Sequence, residues 1–268
     1  MIYFTVSTKN RYAHAALTML SLINASIPNV YIHVIDDAST EDKDHKDKLF
    51  NDLVSRGLIS KYESLKESIG FCKIRARFFN NFSKLESFQY WIHIDDDFVF
   101  DADVFTTVLK DYDQYLDNFG ILNIFANPWA SFADKFYGKL RQVTKIGWAA
   151  FIVSKKTTRL ISNVYDTIDD GEAANAALMK ECIGKNIPVT IKYYDPYKIQ
   201  HTGNSISVIF GYRSSWENMW AKDFTTNKIV KFNFCSFDQL RIYLKSRNLL
   251  NLVKSLNLQK PIRLLLEI

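Results

Sequence analysis

The sequence predicts an α/β domain with a mixed, mainly parallel sheet flanked by helices. Two apolar, β-rich runs, residues 2–7 and 30–35, are separated by a helical pattern over 15–23. A strand, a helix and a second strand joined by short connections form a parallel unit. A third apolar run begins at Tyr90 and ends abruptly in Asp95, Asp96 and Asp97. Together these runs predict neighbouring strands that end at one edge of a sheet.

Hydrophobic spacing places the remaining elements in order. Short apolar runs predict strands, and longer runs with helical spacing predict helices. The expected elements are a helix over 46–58, a short strand over 59–63, a helix ending at 82, a helix over 104–119, strands over 121–125 and 145–153, a helix from 154 to 165, a helix over 173–182 and a strand over 188–194, with loops at 127–129 and 197–205.

Composition is that of a soluble globular protein. The 268 residues are 47% hydrophobic and 24% charged, with a net charge of +5. This charge favours anionic partners such as nucleotides, lipid phosphates or acidic membranes. It is too modest and too dispersed to indicate nucleic acid, and no nucleic-acid motif is present.

The cysteines and the hydropathy pattern predict a cytoplasmic protein. Cys72, Cys182 and Cys235 are odd in number and far apart, so they form neither a disulfide framework nor a zinc spacing. Thiols of this kind fit a reducing compartment. The first residues enter a strand with no basic leader, and no apolar run approaches the roughly 20 residues of a membrane span.

Acids follow two of the predicted strands, Asp36 and Asp37 after the second and Asp95 to Asp97 after the third. A solvated turn is the plain structural explanation, since Asp is common in turns. Adjacent carboxylates repel, however, unless something positive lies among them. Ligands of α/β sheets bind at the carboxyl ends of strands, and oxygen ligands suit Mg²⁺ or Mn²⁺. The acids therefore predict a metal and diphosphate site.

A basic cluster follows Gly70 at the start of a predicted helix: Lys73, Arg75 and Arg77. Cations near a helix N-terminus oppose the helix dipole, so they do not stabilise the helix. Each could be an ordinary surface charge, but the cluster fits the phosphates or base of a nucleotide.

Later in the chain, Asp169, Asp170 and Glu172 precede a predicted helix, and His201 lies in a small polar segment. Acids at a helix start stabilise it as caps, which is one reading of this group. The number of acids exceeds what capping needs, so a catalytic carboxylate is the other reading. A lone histidine is usually structural, and its position after the acids makes His201 a candidate ligand.

The sequence pattern changes after residue 235. Residues 236–268 contain apolar residues at roughly helical spacing, with basic residues among them. An amphipathic basic extension can lie on an anionic membrane. Packing on the domain or on a second subunit, as in a homodimer, is the alternative. We therefore expect a domain over 1–235 and a helical extension over 236–268.

Three segments in order resemble one known family. Residues 6–11 (Val-Ser-Thr-Lys-Asn-Arg), 34–40 (Val-Ile-Asp-Asp-Ala-Ser-Thr) and 94–97 (Ile-Asp-Asp-Asp) resemble the family 2 glycosyltransferases of the GT-A fold. The resemblance covers about residues 1–205. It implies an inverting transfer of a sugar from a nucleotide-diphosphate sugar, with a UDP-sugar as the commonest donor. Surface polysaccharide or lipopolysaccharide synthesis is the pathway it suggests, with a saccharide or lipid-linked acceptor.

The resemblance also assigns roles by position. Asp170 would be the catalytic base, with Asp169 and Glu172 as the other choices, because this chain has Asp-Asp where the family has Glu-Asp. Asp97, Asp95 and His201 would hold Mn²⁺ or Mg²⁺. The nucleotide sugar would be held by Thr8, Asn10, Arg11, Asp36, Asp37, Lys73, Arg75, Asp95 and Asp96.

Three other functions share parts of this sequence pattern. A sugar-phosphate nucleotidyltransferase also uses a strand-end Asp with Mg²⁺, but residues 8–11 lack the glycines of its phosphate loop. A glycosidase with paired carboxylates would leave the basic cluster unexplained. A non-catalytic nucleotide-sugar-binding or membrane-docking module would have acids that serve only as caps. Metal-dependent turnover distinguishes it from the enzyme.

Overall fold

The computed structural model describes residues 1–25, 27–125, 130–192, 199–201, 219–223, 228–232, 237–246 and 250–251. Strands and helices alternate through the first hundred residues. The strands are β1 (Ile2–Thr8), β2 (Val30–Asp36), β3 (Lys61–Ser64), β4 (Tyr90–Asp95), β5 (Phe98–Phe100), β6 (Ile121–Asn123), β7 (Ser131–Tyr137), β8 (Leu140–Lys145), β9 (Ala150–Ser154), β10 (Val189–Ile191), β11 (Ile199–His201), β12 (Met219–Asp223) and β13 (Lys228–Phe232). The helices are α1 (Tyr12–Asn24), α2 (Lys43–Ser55), α3 (Gly70–Lys84), α4 (Val104–Leu116), α5 (Lys155–Thr158), α6 (Val164–Thr167), α7 (Gly171–Gly184) and α8 (Phe237–Ser246).

Nine of the described strands form the central sheet, in the order β3-β2-β1-β4-β9-β6-β10-β8-β7. Strands β3, β2, β1 and β4 are mutually parallel, and β6 is parallel to β10. Strand β9 runs antiparallel between β4 and β6, and the β7–β8 hairpin closes the far edge. The mixed, mainly parallel sheet confirms the predicted fold class.

Register brings the strand ends together. Thr8 at the end of β1 lies opposite Asp36 of β2, and Ser7 lies opposite Asp95 of β4. Because side chains alternate across a strand, β1 sends Phe4 into the core on one face of the sheet and Tyr3 into the core on the other. Strands buried on both faces need apolar residues throughout, which explains the continuous apolar runs.

The strand predicted over 145–153 is confirmed over residues 150–153 and was wrong for residues 146–149. Strand β8 ends at Lys145 and β9 begins at Ala150, with a loop between them. Ile146 and Trp148 in this loop are buried. The loop is therefore apolar because it packs into the core, and its sequence resembles that of a strand.

The helix expected from 154 to 165 was wrong in its length. Ser154 does cap a helix, accepting a hydrogen bond from the Thr157 amide at 3.2 Å, but α5 ends at Thr158. Another short helix, α6, follows after a break.

Several of the described strands were not expected, among them β7 and β11. Strand β7 is largely exposed at the sheet edge, which removes the apolar alternation that predicts strands. Residues 199–201, expected in a loop, form β11 and pair with β5, so that His201 lies opposite Phe98.

Cys72 and Cys182 are buried free thiols. None of the described helices is long and apolar enough to cross a membrane.

In α8, Leu244 is fully buried in the core that also contains Phe4, whereas Ile242 is 66% exposed. Cys235 and most of the extension lie outside the described residues.

Candidate functional site

A cavity of about 1430 Å³ opens at the carboxyl ends of β1, β2 and β4. The loop between β8 and β9 and the helix α7 also line this cavity. Ligands of open α/β sheets bind at this edge. Of the predicted site residues, those lining the cavity are Thr8, Arg11, Asp37, Arg75, Asp95, Asp170 and Glu172.

Asp37 lies on the cavity wall and holds the start of α3. Its carboxylate accepts hydrogen bonds from the Ile69 amide at 2.7 Å, the Gly70 amide at 3.2 Å and the Ser68 hydroxyl at 2.7 Å. Lys9 lies 3.8 Å away. Acids near a helix N-terminus stabilise it, so Asp37 fixes the loop that precedes the basic cluster.

Asp36 does not line the cavity. It is fully buried and forms an ion pair with Lys46 of α2, which is equally buried, at 2.9 Å. Lys46 also donates to the Thr8 hydroxyl at 3.1 Å and the Ser39 hydroxyl at 2.7 Å. Burial lowers the pKa of Lys46, against the opposing effect of Asp36. In this structure Asp36 supports the strand ends from below the cavity.

Asn10 and Arg11 form the turn after β1 with left-handed backbone, at φ 52° and 46°. This conformation is uncommon for non-glycine residues and is found at functional sites. The Asn10 side chain accepts from the Thr40 amide at 2.9 Å and ties this turn to the loop after β2. Asn10 therefore shapes the site without lining the cavity.

Arg11 neutralises two acids of the triple-Asp segment. It forms ion pairs with Asp96 and, at 3.0 Å, with Asp97. Asp96 is fully buried and also accepts from the Thr8 hydroxyl at 2.6 Å. Like charges placed side by side are tolerated here because a guanidinium spans them.

Arg75 lies under the cavity between two aromatic rings. Its guanidinium is 5.0 Å from the centre of the Phe71 ring and 5.5 Å from that of Tyr165. It donates to His93 at 3.2 Å and to both oxygens of Asp95, at 3.2 and 3.3 Å. Burial raises the pKa of Asp95, but Arg75 and His93 together outweigh burial and hold the pKa below its usual range.

Phe71 links the two walls of the cavity. A Cβ at Gly171 would lie 1.9 Å from the Phe71 ring, so a side chain at that position requires the ring to move. The Phe71 side chain is nevertheless 44% exposed. A flat aromatic surface is therefore presented beside the α7 N-terminus.

The three late acids differ in their contacts. Asp170 caps α7 by accepting from the Ala173 amide at 2.8 Å, as the capping interpretation expects. Asp169 pairs with Lys73 at 3.3 Å, and neither residue lines the cavity. Glu172 lies 3.9 Å from Lys145, across the cavity mouth. Asp170 and Glu172 remain positioned to meet a ligand.

Two of the three predicted metal donors meet. His201 lies 3.3 Å from Asp97, whereas Asp95 faces Arg75. Burial raises the pKa of Asp97, but His201 and Arg11 outweigh it and lower the pKa, so the carboxylate is ionised. An imidazole and a carboxylate fit Mn²⁺ by donor chemistry. Among the described residues, no three His, Cys, Asp or Glu side chains form a cluster that could hold an ion.

The sequence matches no protein-family model and no curated protein. Solved structures do match. The S. aureus TarS structure is 13% identical, covers 73% of this chain and 37% of its own, and has a TM-score of 0.50. TarS 1–349 in complex with UDP-GlcNAc is 14% identical over 71% of this chain and 55% of its own, at 0.51. GalNAc-T7 with UDP, GalNAc and Mn²⁺ is 12% identical over 72% and 42%, at 0.55.

This chain has the GT-A fold. It spans between 37% and 55% of the length of these three structures. At such low identity the likeness establishes architecture alone. The narrower assignment to family 2 stays a prediction.

Sequence reasoning missed three residues of this GT-A site. Lys46 lies in the first turn of α2 among other charged residues, a pattern that is typical of a solvated helix face. Phe71 and Tyr165 looked like ordinary core aromatics. Only Phe71, directly after Gly70 and next to the basic cluster, carried a usable signal, because cations and aromatic rings attract.

Proposed function

We propose that this protein is a glycosyltransferase that moves a sugar from a nucleotide-diphosphate sugar to a hydroxyl of a saccharide or lipid-linked acceptor. One observation carries the proposal. A single cavity is lined both by the strand-end residues Asp37 and Asp95, with Arg75, and by Asp170 at the start of α7. A transfer reaction needs a donor site and a base on facing walls of one pocket.

The strand-end wall is the proposed nucleotide site. The exposed face of Phe71 offers a surface on which a base can stack, and Lys9 and Arg11 add positive charge for a diphosphate. The donor base is proposed to be uracil, because TarS and GalNAc-T7 both carry UDP. Asp36 and Asp96 support this wall from within the protein.

Asp170 is the proposed base, and the proposed reaction inverts the anomeric centre. The acceptor oxygen forms a bond to the anomeric carbon while the bond from that carbon to the diphosphate oxygen breaks. The hydroxyl proton passes to the Asp170 carboxylate. Asp169, bound to Lys73, and Glu172, near Lys145, are the other choices.

Mn²⁺ or Mg²⁺ is the proposed cofactor. Asp97 and His201 would hold it, with Asp95 as a third donor after release from Arg75. A bound divalent ion would neutralise charge on the leaving diphosphate. Arg11, already within ion-pair distance of Asp97, adds positive charge on the same side.

The biological setting is also a proposal. A cytoplasmic protein, peripheral on the inner face of the membrane, would suit a lipid-linked acceptor and surface-polysaccharide synthesis. The net charge of +5 supports contact with an anionic surface, and α8 leaves Ile242 exposed for a membrane or a second subunit.

Replacing the proposed base tests the function. Asp170→Asn keeps a side-chain oxygen for the Ala173 amide, so α7 stays capped. We expect the release of UDP from a panel of UDP-sugars, with simple saccharides as acceptors, to fall at least about a hundredfold. UDP binding should persist. Asp169→Asn is the matched control and should retain turnover. Full turnover by the Asp170 variant would assign the base to another residue.

A further inference from the structure

Tyr165 is a buried aromatic residue that contacts both the basic cluster and α7. It belongs to the short helix α6 and is 4% exposed. Its ring lies 5.5 Å from the guanidinium of Arg75, and its hydroxyl donates a hydrogen bond to Oδ1 of Asn175 at 2.8 Å. Arg75 in turn binds Asp95 at the strand ends. Tyr165 therefore connects Asn175 to the proposed nucleotide site.

Asn175 lines the cavity one turn into α7. Residues three or four apart share a helix face, so Asn175 lies on the face that also carries Gly171 and Glu172. Gly171 is about 6 Å away along the helix axis and is in contact with the Phe71 ring. Asp170, the proposed catalytic base, directly precedes Gly171. Asn175 is therefore close both to the nucleotide-binding side of the cavity and to the catalytic base.

The contacts of Tyr165 determine which end of the Asn175 amide can bind a ligand. Burial raises the pKa of Tyr165 to about 12, so the hydroxyl keeps its proton at neutral pH. A guanidinium has only donors, so Arg75 cannot accept this proton, and Oδ1 of Asn175 accepts it instead. Among the described residues, no group accepts a hydrogen bond from Nδ2 of Asn175. The amide nitrogen is therefore the atom that can donate to a bound molecule.

This donor is suited to the sugar that is transferred. The diphosphate of the donor is proposed to lie at the strand ends, and the acceptor hydroxyl is proposed to lie at Asp170, so the sugar lies between them. Asn175 is close to both. An amide NH₂ is a neutral donor that suits hydroxyl and carbonyl oxygens. A site that hydrogen-bonds a substrate group rejects an analogue that lacks the group.

We propose that Asn175 is a specificity-determining residue whose Nδ2 donates a hydrogen bond to a neutral oxygen of the transferred sugar. Tyr165 is a positioning residue, because its hydroxyl holds the amide in the orientation that directs Nδ2 to the sugar. This inference rests on the proposed function and names a sugar contact of the same site. The accepting oxygen belongs to a ring hydroxyl or to the carbonyl of an N-acyl group.

Calorimetry with UDP and four UDP-sugars tests the contact. UDP, UDP-glucose, UDP-galactose, UDP-N-acetylglucosamine and UDP-N-acetylgalactosamine are titrated into the full-length protein with Mn²⁺. Asn175→Ala should bind UDP as the parent protein does, because UDP carries no sugar at this position. It should bind at least one UDP-sugar about three- to tenfold more weakly, the effect of one neutral hydrogen bond. The matched control is Asn51→Ala, on an exposed position of α2 outside the cavity lining, which should bind all five ligands as the parent does.

Tyr165→Phe tests the positioning role. It removes the hydroxyl and keeps the ring beside Arg75. We expect it to weaken the same UDP-sugar about two- to fivefold, and to cause no further loss when it is added to Asn175→Ala, because the hydroxyl acts only through the amide. The matched control is Tyr90→Phe, which removes a hydroxyl that bonds to Asp113 outside the cavity lining and should bind every ligand as the parent does.

The pattern among the four sugars identifies the accepting oxygen. A loss confined to the two N-acetyl sugars assigns the bond to the acyl carbonyl, and any other pattern of loss assigns it to a hydroxyl. The inference is overturned if Asn175→Ala weakens UDP as much as the UDP-sugars, if it weakens no UDP-sugar, or if Tyr165→Phe has its full effect in the Asn175→Ala background.

The same titrations separate this inference from the proposed function. Normal UDP binding by all variants, with UDP-sugar binding unchanged in Asn175→Ala, rejects only the sugar contact. If the parent protein does not bind UDP, the nucleotide site is rejected, and this inference is rejected with it.

Discussion

At the ends of three neighbouring strands, each carboxylate is matched by a particular cation. Lys46 neutralises Asp36 inside the protein, Arg11 spans Asp96 and Asp97, and Arg75 holds Asp95 at the cavity. These cations oppose the effects of burial and of the repulsion among adjacent acids, although burial and Asp97 still raise the pKa of Asp96 to about 6. The arrangement separates acids that support the site from acids that a ligand can reach.

The sequence could predict which acids lie at this edge of the sheet. It could not predict which of them are buried within the protein and which line the cavity. Strand-end position placed Asp36, Asp37 and Asp95 at one edge, because parallel strands end together. The partner of each acid depends on tertiary packing. Lys46 comes from α2, ten residues after Asp36, and no spacing rule links the two.

Because His33 is buried, we expect the free energy of unfolding to decrease in acid. It is 1% exposed, and burial lowers its pKa to about 4, while Tyr3 and Glu63 bond its ring nitrogens at 2.7 and 3.0 Å. The unfolded state, with a pKa near 6.5, binds the proton first. Stability is therefore lost as the pH falls from about 6.5 towards 4, by about 3 kcal/mol in all.

Urea unfolding between pH 7 and pH 4.5 measures this effect. His33→Gln removes the titrating group and should flatten the dependence of stability on pH. The control is His45→Gln, which replaces a 41% exposed histidine and should have the same pH dependence as the parent protein. Identical pH profiles for the parent and the His33 variant would contradict the assignment.

At the scale of elements, α2 is held against the strand ends by one buried ammonium. Lys46→Met should destabilise the protein by about 3–5 kcal/mol, because it leaves Asp36 charged, buried and without its cation. Lys48→Met, on an exposed position of the same helix, should change stability by no more than about 0.5 kcal/mol.

The urea midpoint of each variant provides the measurement. Adding Asp36→Asn to Lys46→Met should recover part of the loss, because neither of these two positions then carries a buried charge. Equal midpoints for the Lys46 and Lys48 variants would show that the buried pair contributes nothing.

Element identity followed from sequence better than element boundaries did. The strand–helix–strand pattern of β1, α1 and β2 was confirmed because its periodicity switches sharply. The region between β8 and β9 was predicted as a strand because two of its loop residues, Ile146 and Trp148, are apolar and pack into the core. Buried loop residues carry no periodic signal that distinguishes them from a strand. That loop lines the cavity, so the error fell on the proposed site.

For the whole molecule, the sheet accounts for the position of the site. The cavity lies where β1, β2 and β4 end, and the antiparallel β9 lies beside β4. The helix α7 lines the same cavity. The fold class could be predicted because every central strand is buried on both faces, whereas the approach of α7 depends on the contact between Phe71 and Gly171.

The most direct test of the central proposal is a thermal-shift panel of UDP, GDP, CMP and dTDP on metal-stripped protein, each with and without Mn²⁺. A ligand at a hundred times its Kd adds about 2.7 kcal/mol, which raises Tm by about 5–10 °C for a domain of this size. We expect such a shift for UDP, and only with Mn²⁺. No shift with any nucleotide would contradict it, because the strand-end acids would then be structural alone.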